Sequence, residues 1–507
     1  MLTTASRPRK KVEYGDFQTP PALAREVCRT LDRLGIAPAA ILEPTCGRGA
    51  LLEAAAEQFS AAKQLVGLDI NADYVSWTSR QMRRFEDDRE VVIEAEDFFD
   101  ANWSDRLAAL RDPLLLIGNP PWVTNSVLGG LASDNLPEKR NTHGLRGIEA
   151  LTGKSNFDIS EWMLLRMLEW MRGRDVTLAM LCKTAVARKV LQRGWSNHED
   201  WSTTSVFRID ALQHFGAAVD ACLLVIRGGS SGGQRSSEAS VFRSLPATTP
   251  EKEFGLRDGI LLADVTAYEH VCHLLGRSQI QWRSGVKHDC SKVLELRREG
   301  SAFRNGLGEL VTLEPDYVFP MLKSSHIASG KTEPTRWMLV TQKSIGEDTT
   351  AIERVAPQTW AYLTKHSEAL GRRASSIYRG RPAFSVFGVG GYTFVPWKVA
   401  ISGLYKKLRF EVVGPVAGQP VVLDDTCYFL PCTSESEAQQ LAKMLNSDVA
   451  KQFFEAFVFW DAKRPITTEL LQRLDLAKLA EQLRVDWRPL APADLMSAAP
   501  GQLSLFE

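Results

Sequence analysis

Over the first half of the chain, short unbroken apolar runs alternate with longer stretches whose apolar residues recur at helical spacing. Leu114-Leu115-Leu116-Ile117 is one such run, and it stops at Gly118-Asn119-Pro120-Pro121-Trp122. An uninterrupted run of this length reads as a strand buried on both faces of a parallel sheet. Ile41-Leu42, Leu65 to Ile70, Val91-Val92-Ile93, Val176 to Leu181 and Ala221 to Ile226 read as further strands. Leu23, Val27, Leu31 and Leu34 fall at helical spacing after Thr19-Pro20-Pro21, which predicts a helix capped by Thr19 with Pro20 at its first position. Trp162, Leu165, Met167, Leu168 and Met171 predict a second helix, and Lys183 to Leu191 a third. Strands alternating with helices describe a doubly wound α/β domain.

Beyond about Ile260 the rhythm changes to short strands and irregular loops, as in an α+β domain. The expected division is 1–250, 251–490 and a Pro/Ala-rich tail over 491–507. Gly228 to Ser240, rich in Gly and Ser, is either a linker or a hairpin loop. The strand-like Ser240 to Arg243 favours the hairpin. Val123 to Asn156 is a long polar stretch that either closes over a pocket or is an unstructured insertion.

In open α/β sheets, ligands bind beyond the carboxyl ends of the strands. Four of those ends carry ligand-type residues here. The first runs into Glu43-Pro44-Thr45-Cys46-Gly47-Arg48-Gly49, a turn whose glycines let the backbone approach a ligand closely. The second ends at Asp69, placed after the glycine turn as an acid that binds ribose hydroxyls. The third leads to Asp97 and Phe98, a carboxylate for an adenine amino group and a ring to pack on it. The fourth offers the Asn119 side-chain carbonyl, the Pro120 carbonyl, which has no N–H beside it, and the flat face of Trp122. Two acceptors beside a stacking surface suit a planar ring bearing an exocyclic amino group. The plainer alternative is a strand-end turn with a core tryptophan. A dinucleotide oxidoreductase would need a third glycine where Ala50-Leu51-Leu52 stands, and no phosphate-cradling lysine follows the turn.

Lys+Arg and Asp+Glu both number 61, so a nucleic-acid binder of this composition must keep its positive charge local. One such locality exists. Between Gly371 and Phe410 lie Arg372, Arg373, Arg379, Arg381, Lys398, Lys406, Lys407 and Arg409, with no acid, among Tyr378, Phe384, Phe387, Tyr392, Phe394, Trp397 and Tyr405. Cations among aromatics are what phosphate neutralisation with stacking requires. The eight cysteines form no CxxC pair, which points to a reducing cytosol and away from a zinc site; no metal is implied. No apolar run reaches transmembrane length, and Met1 to Lys11 is polar and basic, unlike a signal peptide, so no membrane partner is expected.

The order of these motifs resembles the TaqI-type, gamma-class amino-methyltransferases of DNA, which use S-adenosyl-L-methionine. The resemblance covers the first half of the chain with specific motifs and the second half loosely. It implies a Rossmann-like class I methyltransferase domain with a mixed, mostly parallel sheet, followed by an α+β target-recognition domain. By that resemblance Thr19 and Pro20 border the methionine end of the cofactor, and Glu43, Thr45, Gly47 and Gly49 cradle its methionine part. Asp69 and Ile70 hold ribose and adenine, and Asp97 and Phe98 the adenine. Asn119, Pro120, Pro121 and Trp122 form the catalytic tetrapeptide, with Trp122 where the family more often has Tyr or Phe. Phe215 stands where the family places a ring on the opposite face of a flipped base. The implied activity is methyl transfer to N6 of adenine in double-stranded DNA, in a bacterial cytosol. A cognate restriction endonuclease, if any, is expected on a separate chain. Methylation of an RNA base or a protein glutamine, and a DNA-binding specificity subunit without activity, are the alternatives. The second domain is larger and more basic than a glutamine methyltransferase needs. The terminal Gln502-Leu503-Ser504-Leu505-Phe506 is similar to peptides that dock on the bacterial sliding clamp; a tail folded back on its own domain is the other reading.

Overall fold

The computed structural model describes residues 17–123, 158–228 and 236–487. The chain divides into two compact units, Met1–Val265 and Thr266–Glu507.

The first unit is built on a sheet of ten strands among the described residues. β1 (Ala40–Glu43), β2 (Gln64–Asp69), β3 (Glu90–Ala95), β4 (Leu114–Gly118) and β5 (Val176–Lys183) run parallel. Their order is β3-β2-β1-β4-β5. Beyond β5 come β7 (Ala221–Gly228), antiparallel to it, then β6 (Trp201–Ile209), β8 (Glu238–Phe242), β9 (Lys252–Arg257) and β10 (Ile260–Leu262). The strand order reverses between β1 and β4, so the crevice at their carboxyl ends is the switch point where such sheets bind ligands.

Both faces of the central strands are covered, which is why they are continuously apolar. Leu115 and Ile117 join a core with Leu23, Val27 and Leu31 of helix Pro21–Arg33 and Leu51 and Leu52 of helix Ala50–Gln58. Leu114 and Leu116 point the other way and are equally buried. Helix Pro21–Arg33 is fastened to the far end of the unit: Thr30 Oγ1 donates to the Leu245 carbonyl at 3.1 Å.

Three expectations need correction. Helix Pro21–Arg33 has Pro20 at its cap and no side-chain cap bond, so Thr19 does not cap it. β8 does return along the sheet, but it pairs in parallel with β6 (Val206 opposite Val241) and forms no hairpin with β7. Residues 229–235 lie outside the described residues. β9 and β10 extend the first sheet, which carries the unit to Val265 and past the boundary expected at 250. β6 had no counterpart in the sequence reading. Its burial alternates irregularly, and a register shift between Trp201 and Thr203 blurs its period.

The second unit is α+β. A six-stranded sheet includes Glu295–Glu299, Ala302–Asn305, Val318–Leu322 and Arg336–Leu339; a four-stranded one centres on Trp397–Ser402 and Cys427–Cys432. Helices Glu435–Leu445, Asp448–Phe457 and Leu476–Leu483 complete it. Among the described residues no helix is long and apolar enough to cross a membrane.

Packing in the first unit is tight where helix Thr184–Ser196 meets β6. A Cβ on Gly194 would fall 1.9 Å from Cη2 at the edge of the Trp201 ring, itself buried. Gly194→Ala is expected to cost about 1–3 kcal/mol and to lower the thermal midpoint of the first unit, as followed by calorimetry.

Candidate active site

The glycine turn between β1 and helix Ala50–Gln58 is held from four sides. Gly47 and Gly49 take φ values of +52° and +74°, which favour glycine. Asp69, at the end of β2, accepts from Gly47 N–H at 2.8 Å through Oδ2 and from Asn71 N–H at 2.8 Å through Oδ1. Gln18 Oε1 accepts from Arg48 N–H at 2.9 Å, and Thr78 Oγ1 donates to the Gly47 carbonyl at 3.0 Å. A Cβ on Gly47 would meet Gln18 Oε1 at 2.7 Å, and one on Gly49 would meet Thr78 at 2.5 Å. Beneath the turn Glu43 is buried and accepts from Leu52 N–H at 2.9 Å. Burial pushes its carboxyl well above the usual carboxylate range, and nearby Asp69 adds to the effect. The buried Thr45 Oγ1 has no hydrogen-bond partner.

At the end of β4 the Asn119 amide is asymmetric. Its Nδ2 donates to the Phe17 carbonyl at 2.8 Å and to Thr19 Oγ1 at 3.3 Å. Its Oδ1 is buried and has no partner. Leaving a buried acceptor unmet costs on the order of 1–3 kcal/mol, so this atom is an acceptor held ready. Pro120 is buried and Pro121 half-buried beside it. Trp122 is only 5% exposed and belongs to the core. Its Nε1 donates to the Leu181 carbonyl at 3.3 Å. Its ring meets Phe215 edge-on at 5.1 Å and Phe17 at 5.7 Å, and Phe17 meets Phe215 at 6.1 Å. The expected open stacking face is therefore a wall within a three-ring cluster. Phe215, the last residue of the short helix Ala211–Phe215, is half-buried and keeps part of its surface outside that packing.

Lys183, at the end of β5, donates from Nζ to the Trp122 carbonyl at 3.1 Å and to Asp158 Oδ2 at 2.6 Å. Asp158 caps helix Ile159–Trp170, and Ile159 N–H bonds the Val123 carbonyl at 3.0 Å. The described residues on either side of 124–157 thus meet beside the tetrapeptide; the long polar stretch itself lies outside the described residues.

The structure brings Thr19, Glu43, Thr45, Gly47, Gly49, Asp69 and Asn119 to one end of the sheet. It places some of them in roles other than those expected. Thr19 bonds Asn119, and the two oxygens of Asp69 accept from backbone N–H groups, one at Gly47 in the glycine turn and one at Asn71. Asp97 folds back to accept from Phe99 N–H at 2.8 Å. Phe98 is 6% exposed, enclosed by Phe99, Trp103, Trp162 and Trp170, so packing claims most of its ring. Ile70, by contrast, is 55% exposed at the end of β2, an apolar surface such as an adenine ring would cover. Phe17, Gln18, Thr78, Asp158 and Lys183 were missed. Lys183 alone carried a signal, since it ends a fifth parallel strand as the acids end the others.

In the second unit the basic cluster separates into unlike parts. Lys398 is 1% exposed, with Nζ donating to the Val395 carbonyl at 2.7 Å. Arg373 donates to the carbonyls of Leu370 at 2.7 Å and Ser385 at 2.6 Å and lies over the Tyr378 ring at 3.7 Å. Both are engaged by internal carbonyls, Lys398 fully buried and Arg373 half-buried. Arg372 pairs with Glu368 and Arg409 with Glu411, acids just outside the acid-free window. Arg379, Arg381, Lys406 and Lys407 are exposed, and Tyr405 beside the two lysines is 44% exposed. Phe384, Phe387 and Tyr392 are core residues. Gln502, Leu503, Leu505 and Phe506 lie outside the described residues.

The glycine-turn end of the site fits S-adenosylmethionine: an unpartnered hydroxyl at Thr45, a buried acid at Glu43, a backbone kept open by glycine and an apolar platform at Ile70. The first unit accordingly has a Rossmann-like class I methyltransferase fold, with S-adenosyl-L-methionine as its cofactor. The chain is 43% identical to Type II methyltransferase M.NspV of Nostoc sp. over 93% of its own length and 98% of that protein. It belongs to the Type II methyltransferase family. No family model matches it. Among solved structures it is similar to the Type IIL restriction-modification enzyme MmeI in complex with DNA. There the TM-score is 0.51 at 13% identity, over 89% of this chain and 66% of that one. A class I S-adenosylmethionine-dependent methyltransferase from Listeria monocytogenes aligns with a TM-score of 0.33 at 14% identity, over 46% of this chain and 68% of that one.

Burial lowers the Lys398 ammonium from the usual 10.5 to about 7. Between those values the unfolded chain holds a proton that the folded chain has released, so stability rises with pH across the window and is lowest below about 7. Lys398→Met is expected to raise the thermal midpoint at pH 7 and below, with the gain fading as pH approaches 10. A gain that is flat across that range would show the charge to be tolerated.

Proposed function

We propose that the chain is a gamma-class, site-specific DNA methyltransferase acting on the exocyclic N6 amino group of an adenine flipped out of duplex DNA. The observation that carries the reading is the buried, unpartnered Asn119 Oδ1 at the carboxyl end of β4, beside the glycine turn. An amide fixed in this orientation accepts and cannot donate, which suits an amino group. The Pro120 carbonyl supplies a second acceptor.

When bound, S-adenosylmethionine supplies an electrophilic methyl group on a sulfonium sulfur. The amino nitrogen of adenine is a poor nucleophile because its lone pair is delocalised into the ring. Asn119 Oδ1 and the Pro120 carbonyl, each accepting one N–H, localise that lone pair on nitrogen. Glu43, Thr45, Gly47 and Gly49 would hold the methyl donor beside that nitrogen, which would gain the methyl group and give up one N–H proton to water. Positioning and preorganised acceptors supply the rate without a general base. Because the amino group of a paired base is inaccessible, the base has to leave the stack at a cost of about a few kcal/mol. Phe215 and Phe17, with Trp122 as the wall behind them, are the rings against which it packs. Adenine is preferred to cytosine on the family resemblance, which places Asn first in the tetrapeptide.

For DNA, the exposed cations Arg379, Arg381, Lys406 and Lys407 are the candidates to meet phosphates. The MmeI structure was solved with DNA, and its similarity over both units agrees with this reading.

Asn119→Ala is expected to reduce transfer of labelled methyl to DNA by about 10²–10³-fold while cofactor and DNA binding persist; substantial residual transfer would remove Asn119 from the mechanism. Methylation-aware sequencing of a host expressing the chain tests base and site together, and N6-methyladenine at one short motif is the expected result. Changing Arg379 and Arg381 to Ala should reduce the dependence of log K on log salt by about one per lost phosphate contact, whereas Lys398→Met should leave that slope unchanged.

A further inference from the structure

We propose that Phe17 and Thr19 are positioning residues that set which end of the Asn119 amide faces the substrate, an inference that rests on the methyl-transfer role above. An asparagine amide has two orientations of nearly equal shape, with oxygen and nitrogen exchanged. Here only one satisfies its neighbours. The Phe17 carbonyl accepts at 2.8 Å and the Thr19 hydroxyl oxygen at 3.3 Å, both from Nδ2. Turned over, the amide would bring Oδ1 against a carbonyl oxygen that has nothing to donate, and would offer N–H groups where the substrate's own N–H groups must land.

The usual explanation for a threonine before Pro-Pro, a helix cap, does not apply. The helix beginning at Pro21 has no side-chain cap bond. The same tripeptide also reaches the cofactor turn, through Gln18 Oε1 on Arg48 N–H at 2.9 Å. One short strut of chain therefore links the turn expected to hold the methyl donor to the amide expected to hold the acceptor. It also imposes selectivity. An amide locked with its oxygen outward accepts from an amino-bearing ring and repels a ring that presents a carbonyl at the same place.

A purely cofactor-facing Thr19, as the family resemblance implies, makes a different prediction. Thr19→Val keeps the shape and removes the acceptor. With plasmid DNA lacking the modification as substrate, kcat is expected to fall about 5–10-fold, the size of one hydrogen bond. The KM for S-adenosylmethionine should stay within about twofold, the thermal midpoint should hold because no cap bond is lost, and Thr19→Ser should restore kcat. Thr19→Ala gives the same comparison if valine disturbs the start of the helix. A raised KM for S-adenosylmethionine with unchanged kcat would assign Thr19 to the cofactor and overturn the positioning role, as would an unchanged kcat with unchanged KM. An unsubstituted chain that methylates no DNA would overturn the functional reading itself, which is a distinct outcome.

Discussion

The Asn119 amide is bonded through its nitrogen and bare at its oxygen, and the first unit is arranged so that this difference persists. The parallel register of β1 and β4 places the end of one strand beside the end of the other. The core beneath is dry and close-packed, so neither strand end can shift without disturbing Leu115, Ile117 and the two helices that cover them. The segment at Phe17 supplies the acceptor that the nitrogen needs. A buried, unmet carbonyl oxygen is costly for an isolated domain. It becomes useful when a ligand brings N–H groups to it, because the desolvation has already occurred.

The glycine turn follows the same logic on the cofactor side. Gly47 and Gly49 are left-handed and sit against Gln18 and Thr78, where no side chain fits. Asp69 braces the turn through one oxygen, which makes it part of the turn's rigidity. Lys183 and Asp158 tie the carbonyl side of Trp122 to the fifth strand, so the tetrapeptide is fixed at both ends. A site built in this way presents its polar atoms on rigid elements, and those atoms need little reorganisation when charge moves.

In the second unit, burial sorted residues that the sequence shows as equals. Eight cations within forty residues of acid-free chain look like one surface. Two of them satisfy internal carbonyls, two exposed ones pair with acids just beyond the window, and the other four are exposed. The interleaved aromatics divide as well: Phe384, Phe387 and Tyr392 are buried in the core, Tyr378, Phe394 and Trp397 are half-buried, and Tyr405 is exposed.

The sequence alone determined the class of fold and which residues gather at the carboxyl ends of its strands. Continuous apolar runs dictate buried strands, and where those strands run parallel the residues at their carboxyl ends fall at the ligand-binding edge of the α/β sheet. Glu43, the glycine turn, Asp69 and Asn119 could thus be placed together from the chain. Tertiary structure decided what each side chain does there. Whether Thr19 caps a helix or holds an amide, and whether Trp122 and Phe98 stack on a ligand or fill a core, depends on residues distant in sequence. So does the place of β8 beside β6 rather than β7, and the burial of Lys398 away from solvent. Local spacing encodes which groups are available, but hydrogen bonds and packing are made with whatever the fold brings near, and one chain segment carries no record of those neighbours.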